Sequence, residues 1–365
     1  MFNIIDDGWQ GFFHENSPSF SRTSESSHSF FLKYFAQWIT LSRHMDQPRL
    51  IAIVGPTASG KSQVAMEIAA GINAEIISAD SMQIYKYMDI GTGKPIPEDR
   101  GRIPHHLIDI ILPDETFSAA QYKERARGIA DALHKAGKNI LLVGGTGLYI
   151  KAFLRGLFPS PEADQSLRQE LREKANRLGR TFVWHKLNEV DSVSASRLHP
   201  NDMVRIIRAL EVYRQTGIPL SQWQKRHAFG DRPYEVIEIG LMREREDIYR
   251  RIENRVDDMI RRGFEEEVRL LLNRGYGRHL KSMQGLGYKR MAEYVVGERD
   301  FEEAIRLIKK DTRAYAKRQL TWFGNDPEVR WVHYPEDKGR IKEMADRFLD
   351  GERSNPTGIK KAING

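Results

Sequence analysis

One short string constrains this chain more than any other. Gly55-Pro56-Thr57-Ala58-Ser59-Gly60-Lys61-Ser62 fits the pattern G-x-x-x-x-G-K-[ST]. It follows an apolar run, Leu50 to Val54, and opens a helical pattern, Gln63 to Ala70. A second β-branched run, Glu75 to Ala79, comes next. Strand, glycine loop, helix and strand make a βαβ unit with a P-loop at its first turn. In such a loop, here Gly55 to Ser62, the backbone N–H groups (Pro56 has none) and the helix N-terminus surround phosphate oxygens. Lys61 adds a point charge, and the Ser62 hydroxyl can coordinate Mg²⁺. Nothing in the motif demands a triphosphate.

The rest of the chain extends that unit. A third buried strand is expected at Ile140 to Val143 after a helix near Ala119 to Lys135, and a fourth at Val236 to Met242. The fold class is therefore α/β, a P-loop NTPase-like parallel sheet covered by helices. Between about Pro161 and Asp231 strand signals stop. Leu167, Leu171, Ala175 and Leu178 recur at helical spacing, as do Val204, Ile207, Leu210 and Val212. Residues 161–231 thus read as a helical insertion in a core of 49–160 and 232–340. Long charged helices are expected from Asp247 to Arg274 and from Glu302 to Trp322, with glycines at 275, 277, 285 and 287 between them. Residues 1–48 carry no chemical signature and read as a disordered or dispensable extension, with Met45 as a candidate translation start. Residues 351–365 read as a flexible basic tail.

Composition excludes several function classes. The 365 residues include no cysteine, which removes disulfides, thiolate nucleophiles and cysteine-ligated zinc and fits a reducing, cytoplasmic setting. No apolar run approaches the roughly 20 residues of a membrane helix, so no membrane partner is expected. The net charge is +7, and residues 201–320 hold 26 Lys and Arg against 20 Asp and Glu. A polyanionic partner accounts for that surplus; so do ordinary solvated helices.

The strand Ile140 to Val143 ends in Gly144-Gly145-Thr146-Gly147, where a motor ATPase or GTPase would place its Mg²⁺-organising acid. These glycines fit either a close backbone approach to a ligand, with Thr146 as donor, or a plain strand-to-helix turn. An acid does close the second strand, Asp80. The carboxyl ends of neighbouring parallel strands share one crevice, so Asp80 should face the P-loop, as a general base or as an outer Mg²⁺ ligand. The Gln83 amide suits a nucleobase edge. His105-His106 lacks the spacing of a metal site, and Trp184 and Trp223 read as packing residues.

These strings together resemble one family. The P-loop, Asp80-Ser81-Met82-Gln83-Ile84-Tyr85, Met88-Asp89-Ile90-Gly91-Thr92-Gly93-Lys94-Pro95, Gly144 to Tyr149, and Lys317-Arg318-Gln319-Leu320-Thr321-Trp322 occur in the order found in the tRNA isopentenyltransferases. The resemblance spans roughly Arg49 to Tyr334. Ser62 replaces a frequent threonine and keeps the hydroxyl.

The resemblance implies a prenyl transfer in which no nucleotide is consumed. The P-loop would hold the diphosphate of dimethylallyl diphosphate with Mg²⁺. The exocyclic amine of the adenosine 3′ of the anticodon would attack the allylic carbon while Asp80 takes its proton. Lys61, Ser62 and Arg255 would support the departing diphosphate. Asp80, Ser81, Met82, Gln83, Thr146, Arg168, the segment Val204, Arg205, Ile206, Ile207 and Arg208, and Lys317 with Arg318 would touch tRNA, with Arg205 and Arg208 on one helix face. Trp322 and Phe323 suit either base stacking or the core. A stacked adenosine must be flipped out to reach the donor, which gives the helical insertion a purpose. A monomer is expected. An adenylate isopentenyltransferase, a small-molecule kinase and a nucleotide-gated RNA-binding protein are the rivals. The first of these would not need the insertion.

Overall fold

The computed structural model describes residues 47–159 and 161–351. The expectations for 1–48 and 351–365 lie outside these residues except at Gln47, Pro48 and Gly351. Six strands form one parallel sheet: β1 (Arg49–Val54), β2 (Ala74–Ala79), β3 (His105–His106), β4 (Asn139–Gly144), β5 (Glu235–Met242) and β6 (Val329–His333). Their order across the sheet is β3-β2-β4-β1-β5-β6.

Continuous apolar strands are what a sheet covered on both faces requires. Leu50, Ala52 and Val54 of β1 enter one core with Ile140 and Leu142 of β4, while Ile51 and Ile53 enter the other with Leu141 and Val143. Helix α1 (Lys61–Gly71) covers the second face through Val64 and Ile68. After α2 (Pro97–Arg102), α3 (Ala119–Lys135) and α4 (Gly147–Arg155) cover the first face through Tyr122, Ala126, Ile150 and Phe153.

Residues 161–231 contain no strand among those described. They fold as α5 (Gln165–Leu178), α6 (Arg180–Val190), α7 (Ser192–Arg197), α8 (Met203–Thr216) and α9 (Leu220–His227). Leu167, Leu171, Val183, Leu187, Ile206 and Leu210 give this segment its own core.

Two expectations change. The single charged helix expected from Asp247 to Arg274 is two helices, α10 (Arg245–Arg261) and α11 (Phe264–Asn273). Gly263 breaks it with φ of 92°, a value that L side chains rarely adopt. Strand β6 was not expected. It follows α12 (Tyr288–Val295) and α13 (Phe301–Gly324), pairs with β5, and leads into α14 (Lys338–Leu349). Ile341, Ala345 and Phe348 of α14 complete the core beside α1.

Candidate active site

The carboxyl ends of β1, β2 and β4 open on a cleft of about 1070 Å³, lined by the P-loop, Asp80, Gln83, Thr92 to Ile96, Gly144, Gly145 and one face each of α10 and α13. A site at this edge is what a doubly wound sheet provides.

The P-loop is held by its own carbonyls. Lys61 Nζ donates to the carbonyls of Gly55 at 3.0 Å and Pro56 at 2.6 Å. Arg251 Nε donates to the Ala58 carbonyl and Arg243 Nε to that of Ser59, both at 2.8 Å. Gln319 Oε1 accepts from the Thr57 N–H at 2.7 Å. These contacts occupy carbonyl oxygens and the Thr57 N–H, and the N–H groups of Gly60, Lys61 and Ser62 at the start of α1 remain for a phosphate. Gly60 makes the turn into α1 with φ of 104°. Ser59 is buried and does not line the cleft, so its contribution is through the backbone, whereas Ser62 lines the cleft directly.

Three charges converge. Burial, with the Arg255 guanidinium acting in the same direction and the Asp80 carboxylate against both, brings the pKa of Lys61 down to about 7. Burial also lowers the pKa of Arg255, again against Asp80. Asp80 is thus the counter-charge that both cations feel. Its Oδ1 accepts from the N–H groups of Met82 at 2.8 Å and Gln83 at 3.3 Å, which fixes the carboxylate at the start of the loop. Gln83 is oriented in turn, accepting from Ser78 Oγ at 3.0 Å and donating to the Gly93 carbonyl at 3.3 Å. Arg255 reaches the site from α10 and donates to the Thr92 carbonyl at 3.2 Å.

The glycines at 144–147 answer to the protein itself. A Cβ on Gly144 would lie 2.2 Å from the Ala79 carbonyl oxygen, one on Gly145 2.1 Å from Gln319 Nε2, and one on Gly147 2.0 Å from Trp322 Nε1. Thr146 is likewise committed, its hydroxyl oxygen accepting the Ser81 N–H at 3.0 Å. The turn packs closely on the protein while Gly144 and Gly145 also line the cleft, and Thr146 holds Ser81 in place. Trp322 covers Gly147 while Phe323 belongs to the core.

Sequence reasoning missed Arg251, Asn254, Tyr315 and Gln319, all lining the cleft. The signal was present: 251, 254 and 255 share one face of α10, and 315 and 319 stand four apart on α13. Burial, reinforced by Asp80, pushes the Tyr315 hydroxyl up to about 12.

The insertion divides the residues expected at the RNA. Val204 is 82% exposed, and Arg205, paired with Asp202 at 3.0 Å, is exposed. Ile206 and Ile207 are buried in the insertion core, so their side chains cannot face RNA, which corrects that expectation. Arg168 and Arg208 both bind the fully buried Glu211 carboxylate, and Arg208 also donates to the Pro161 carbonyl. The shared face expected for Arg205 and Arg208 is therefore not kept, because a buried carboxylate draws one of them inward. Lys317 and Arg318 are exposed on α13.

Weaker signals resolve as packing. His105 Nδ1 donates to the Ile103 carbonyl, and His106 Nε2 lies 2.8 Å from Glu75. No group of three His, Cys, Asp or Glu is placed to hold a metal among the described residues. Trp184 Nε1 donates to the carbonyls of Ala195 and Leu198, and Trp223 stacks on Phe158. No described helix is long and apolar enough to cross a membrane.

The family model described as IPP transferase matches residues 83–326. The chain is 53% identical over 296 residues to tRNA dimethylallyltransferase 2 of Geotalea uraniireducens, covering 81% of this chain and 96% of that protein. It is 49% identical to tRNA dimethylallyltransferase of Geobacter sulfurreducens, covering 82% and 97%. Among solved structures, the full-length tRNA isopentenylpyrophosphate transferase of Bacillus halodurans matches with a TM-score of 0.63 at 39% identity, covering 84% and 98%. A eukaryotic dimethylallyltransferase acting on tRNA matches with a TM-score of 0.70 at 25% identity, covering 83% and 80%.

Proposed function

Because this chain belongs to the IPP transferase family, we propose that it transfers a dimethylallyl group from dimethylallyl diphosphate to the exocyclic amine of the adenosine immediately 3′ of the anticodon in tRNA, releasing diphosphate. The observation that carries this reading is a P-loop facing an acid, Asp80, across one cleft, while a glycine turn stands where a nucleotide hydrolase keeps its acid.

The diphosphate lies in the P-loop, Gly55 to Ser62, against the N–H groups of Gly60, Lys61 and Ser62 where α1 begins. Lys61 leaves the Gly55 and Pro56 carbonyls to meet it, and Arg255 approaches from α10. The adenosine amine is a weak nucleophile. Asp80 accepts its proton as the bond from nitrogen to the allylic carbon forms and the bond from that carbon to the diphosphate oxygen breaks. Gln83, fixed by Ser78 and Gly93, reads the adenine edge, and Ser81, Met82 and Thr146 shape the wall beside it.

Mg²⁺ fits the donor set here. The Ser62 hydroxyl lines the cleft at the start of α1, and no cage of three carboxylates or histidines stands there among the described residues, which suits an ion that takes most of its oxygens from phosphate and water. When bound it supplies charge neutralisation for the leaving diphosphate.

In this reading residues 49–160 and 232–340 do the chemistry, and the insertion 161–231 takes the RNA. Val204 and Arg205 of the insertion and Lys317 and Arg318 of α13 form the contact surface. Arg168 and Arg208 serve by holding Glu211. The enzyme works as a cytoplasmic monomer.

The test is label transfer from dimethylallyl diphosphate in the presence of Mg²⁺, offered unmodified tRNA or AMP. Label in tRNA alone supports the reading. Label in AMP moves the protein to the adenylate isopentenyltransferases, which need no insertion.

A further inference from the structure

The residues following β2 form a long loop that begins at Asp80 and ends where Arg255 meets Thr92. Two groups outside the proposed chemistry grip its middle. Glu267, on α11, accepts three consecutive backbone N–H groups: Asp89 at 2.8 Å and Ile90 at 2.7 Å through one oxygen, and Gly91 at 3.1 Å through the other. That second oxygen also takes the Tyr288 hydroxyl at 2.6 Å. From the opposite side the buried Lys94 ammonium donates to the Tyr85 carbonyl at 2.6 Å, Asp89 at 2.7 Å and Asp109 at 2.5 Å. Asp89 is therefore held by its backbone from one side and by its side chain from the other.

What this grip controls lies immediately downstream. The Thr92 carbonyl orients Arg255, and the Gly93 carbonyl orients the Gln83 amide. No side chain fits between: a Cβ on Gly91 would lie 2.2 Å from the Phe264 ring, and one on Gly93 2.4 Å from Arg255. The helix pair α10 and α11 thus touches the P-loop through Arg251, the end of the loop through Arg255 and its middle through Glu267. A carboxylate that accepts consecutive N–H groups fixes the planes of those peptides, and with them the directions of the carbonyls that follow.

We propose that Glu267 is a positioning residue of the transfer reaction. By capturing Asp89, Ile90 and Gly91 it aims the Thr92 and Gly93 carbonyls, and through them sets Arg255 and Gln83 around the reacting atoms. It touches neither substrate. The inference rests on the transfer activity proposed above, which the wild-type protein reports separately in the same assay.

The test uses the full chain carrying Glu267→Gln or Glu267→Asp. The amide at 267 has one oxygen for Asp89 and Ile90 but sets its NH2 against the Gly91 N–H and loses the charge that strengthens all three bonds, whereas aspartate keeps the charge. Three quantities are read: kcat and KM for dimethylallyl diphosphate at saturating tRNA, the melting temperature, and backbone hydrogen exchange across residues 88–95. Misplacing reacting groups by about 1 Å costs on the order of 10²-fold. Glu267→Gln is expected to lose that much in kcat with KM within about threefold, because the P-loop is untouched. Glu267→Asp recovers most of the loss, and exchange accelerates at residues 89–93. Unchanged kcat in the folded Glu267→Gln protein, or a loss fully matched by the unfolded fraction, overturns the proposal. Should Glu267→Gln fail to fold, Tyr288→Phe deletes one bond to the same carboxylate. Reduced kcat at constant KM then supports the proposal, and unchanged kcat overturns it.

Discussion

Gln319 and Thr57, far apart in the chain, are joined by a 2.7 Å hydrogen bond from the Thr57 N–H to the Gln319 Oε1, while Gln319 Nε2 donates to the Gly145 carbonyl at 2.9 Å. One buried amide thereby ties the P-loop to the turn after β4, two walls of the cleft that the proposed reaction assigns to the diphosphate.

Replacing Gln319 by leucine leaves the part-buried Thr57 N–H and the buried Gly145 carbonyl without this partner. At about 1–3 kcal/mol for each such group, a clear drop in melting temperature is expected, with weaker binding of inorganic diphosphate measured by calorimetry. Gln319→Glu is expected to restore neither, since a carboxylate cannot donate to Gly145.

Asp80→Asn keeps an oxygen able to accept from Met82 and Gln83, so the loop and the melting temperature should hold. The base is lost. Turnover is expected to fall on the order of 10² to 10⁴ in single-turnover prenylation of tRNA, the usual worth of a general base. Near-normal turnover in this variant would remove Asp80 from that role.

Lys61 gives the affinity for diphosphate a pH dependence. Its pKa of about 7 in the free protein is held down by burial and by Arg255. A bound diphosphate favours the ammonium and raises that pKa, so binding takes up a proton above pH 7. On this account affinity is level below about pH 7 and falls as pH rises past it, by up to about tenfold per unit. Calorimetry across pH on wild type and Lys61→Arg isolates the effect, because arginine stays charged throughout. Identical profiles would contradict it.

Much of the site was legible because its signals are local. The P-loop is a contiguous string whose flanks name their own strand and helix, and Asp80 follows directly from the end of β2. Thr57 and Gln319, or Ala58 and Arg251, meet only because β1 and β5 are neighbours and α10 and α13 pack over the sheet's edge. No spacing in the chain encodes those meetings. Strand β6 escaped because Val329 to His333 is short and mixes Arg330 and His333 with its apolar residues. Arg168 and Arg208 have a partner that their own positions in the sequence do not announce. Arginine on a polar helix reads as solvated until a buried carboxylate elsewhere, Glu211, claims it.

That carboxylate supports the insertion. Glu211 is fully buried and accepts from Arg168, Arg208 and the Asp164 N–H. Burial alone would raise its pKa, but these bonds outweigh it and leave the pKa lowered. Its stabilisation is therefore present above the ordinary glutamate range and is lost as pH falls below it. Glu211→Ala strands two arginines and is expected to cost about 3–5 kcal/mol. Hydrogen exchange should localise the loosening to residues 161–227, with tRNA affinity lost and diphosphate affinity kept. Loss of both affinities together would show that the insertion and the P-loop core do not behave separately.

The central claim is that the P-loop holds a leaving group and spends no nucleotide. The most direct measurement incubates the protein with Mg²⁺, tRNA and labelled dimethylallyl diphosphate in the absence of any nucleoside triphosphate. Released diphosphate and prenylated adenosine in the digested RNA are then counted. The account predicts one diphosphate released for each adenosine modified. Diphosphate release without label in RNA, or transfer that requires a nucleoside triphosphate, would contradict it.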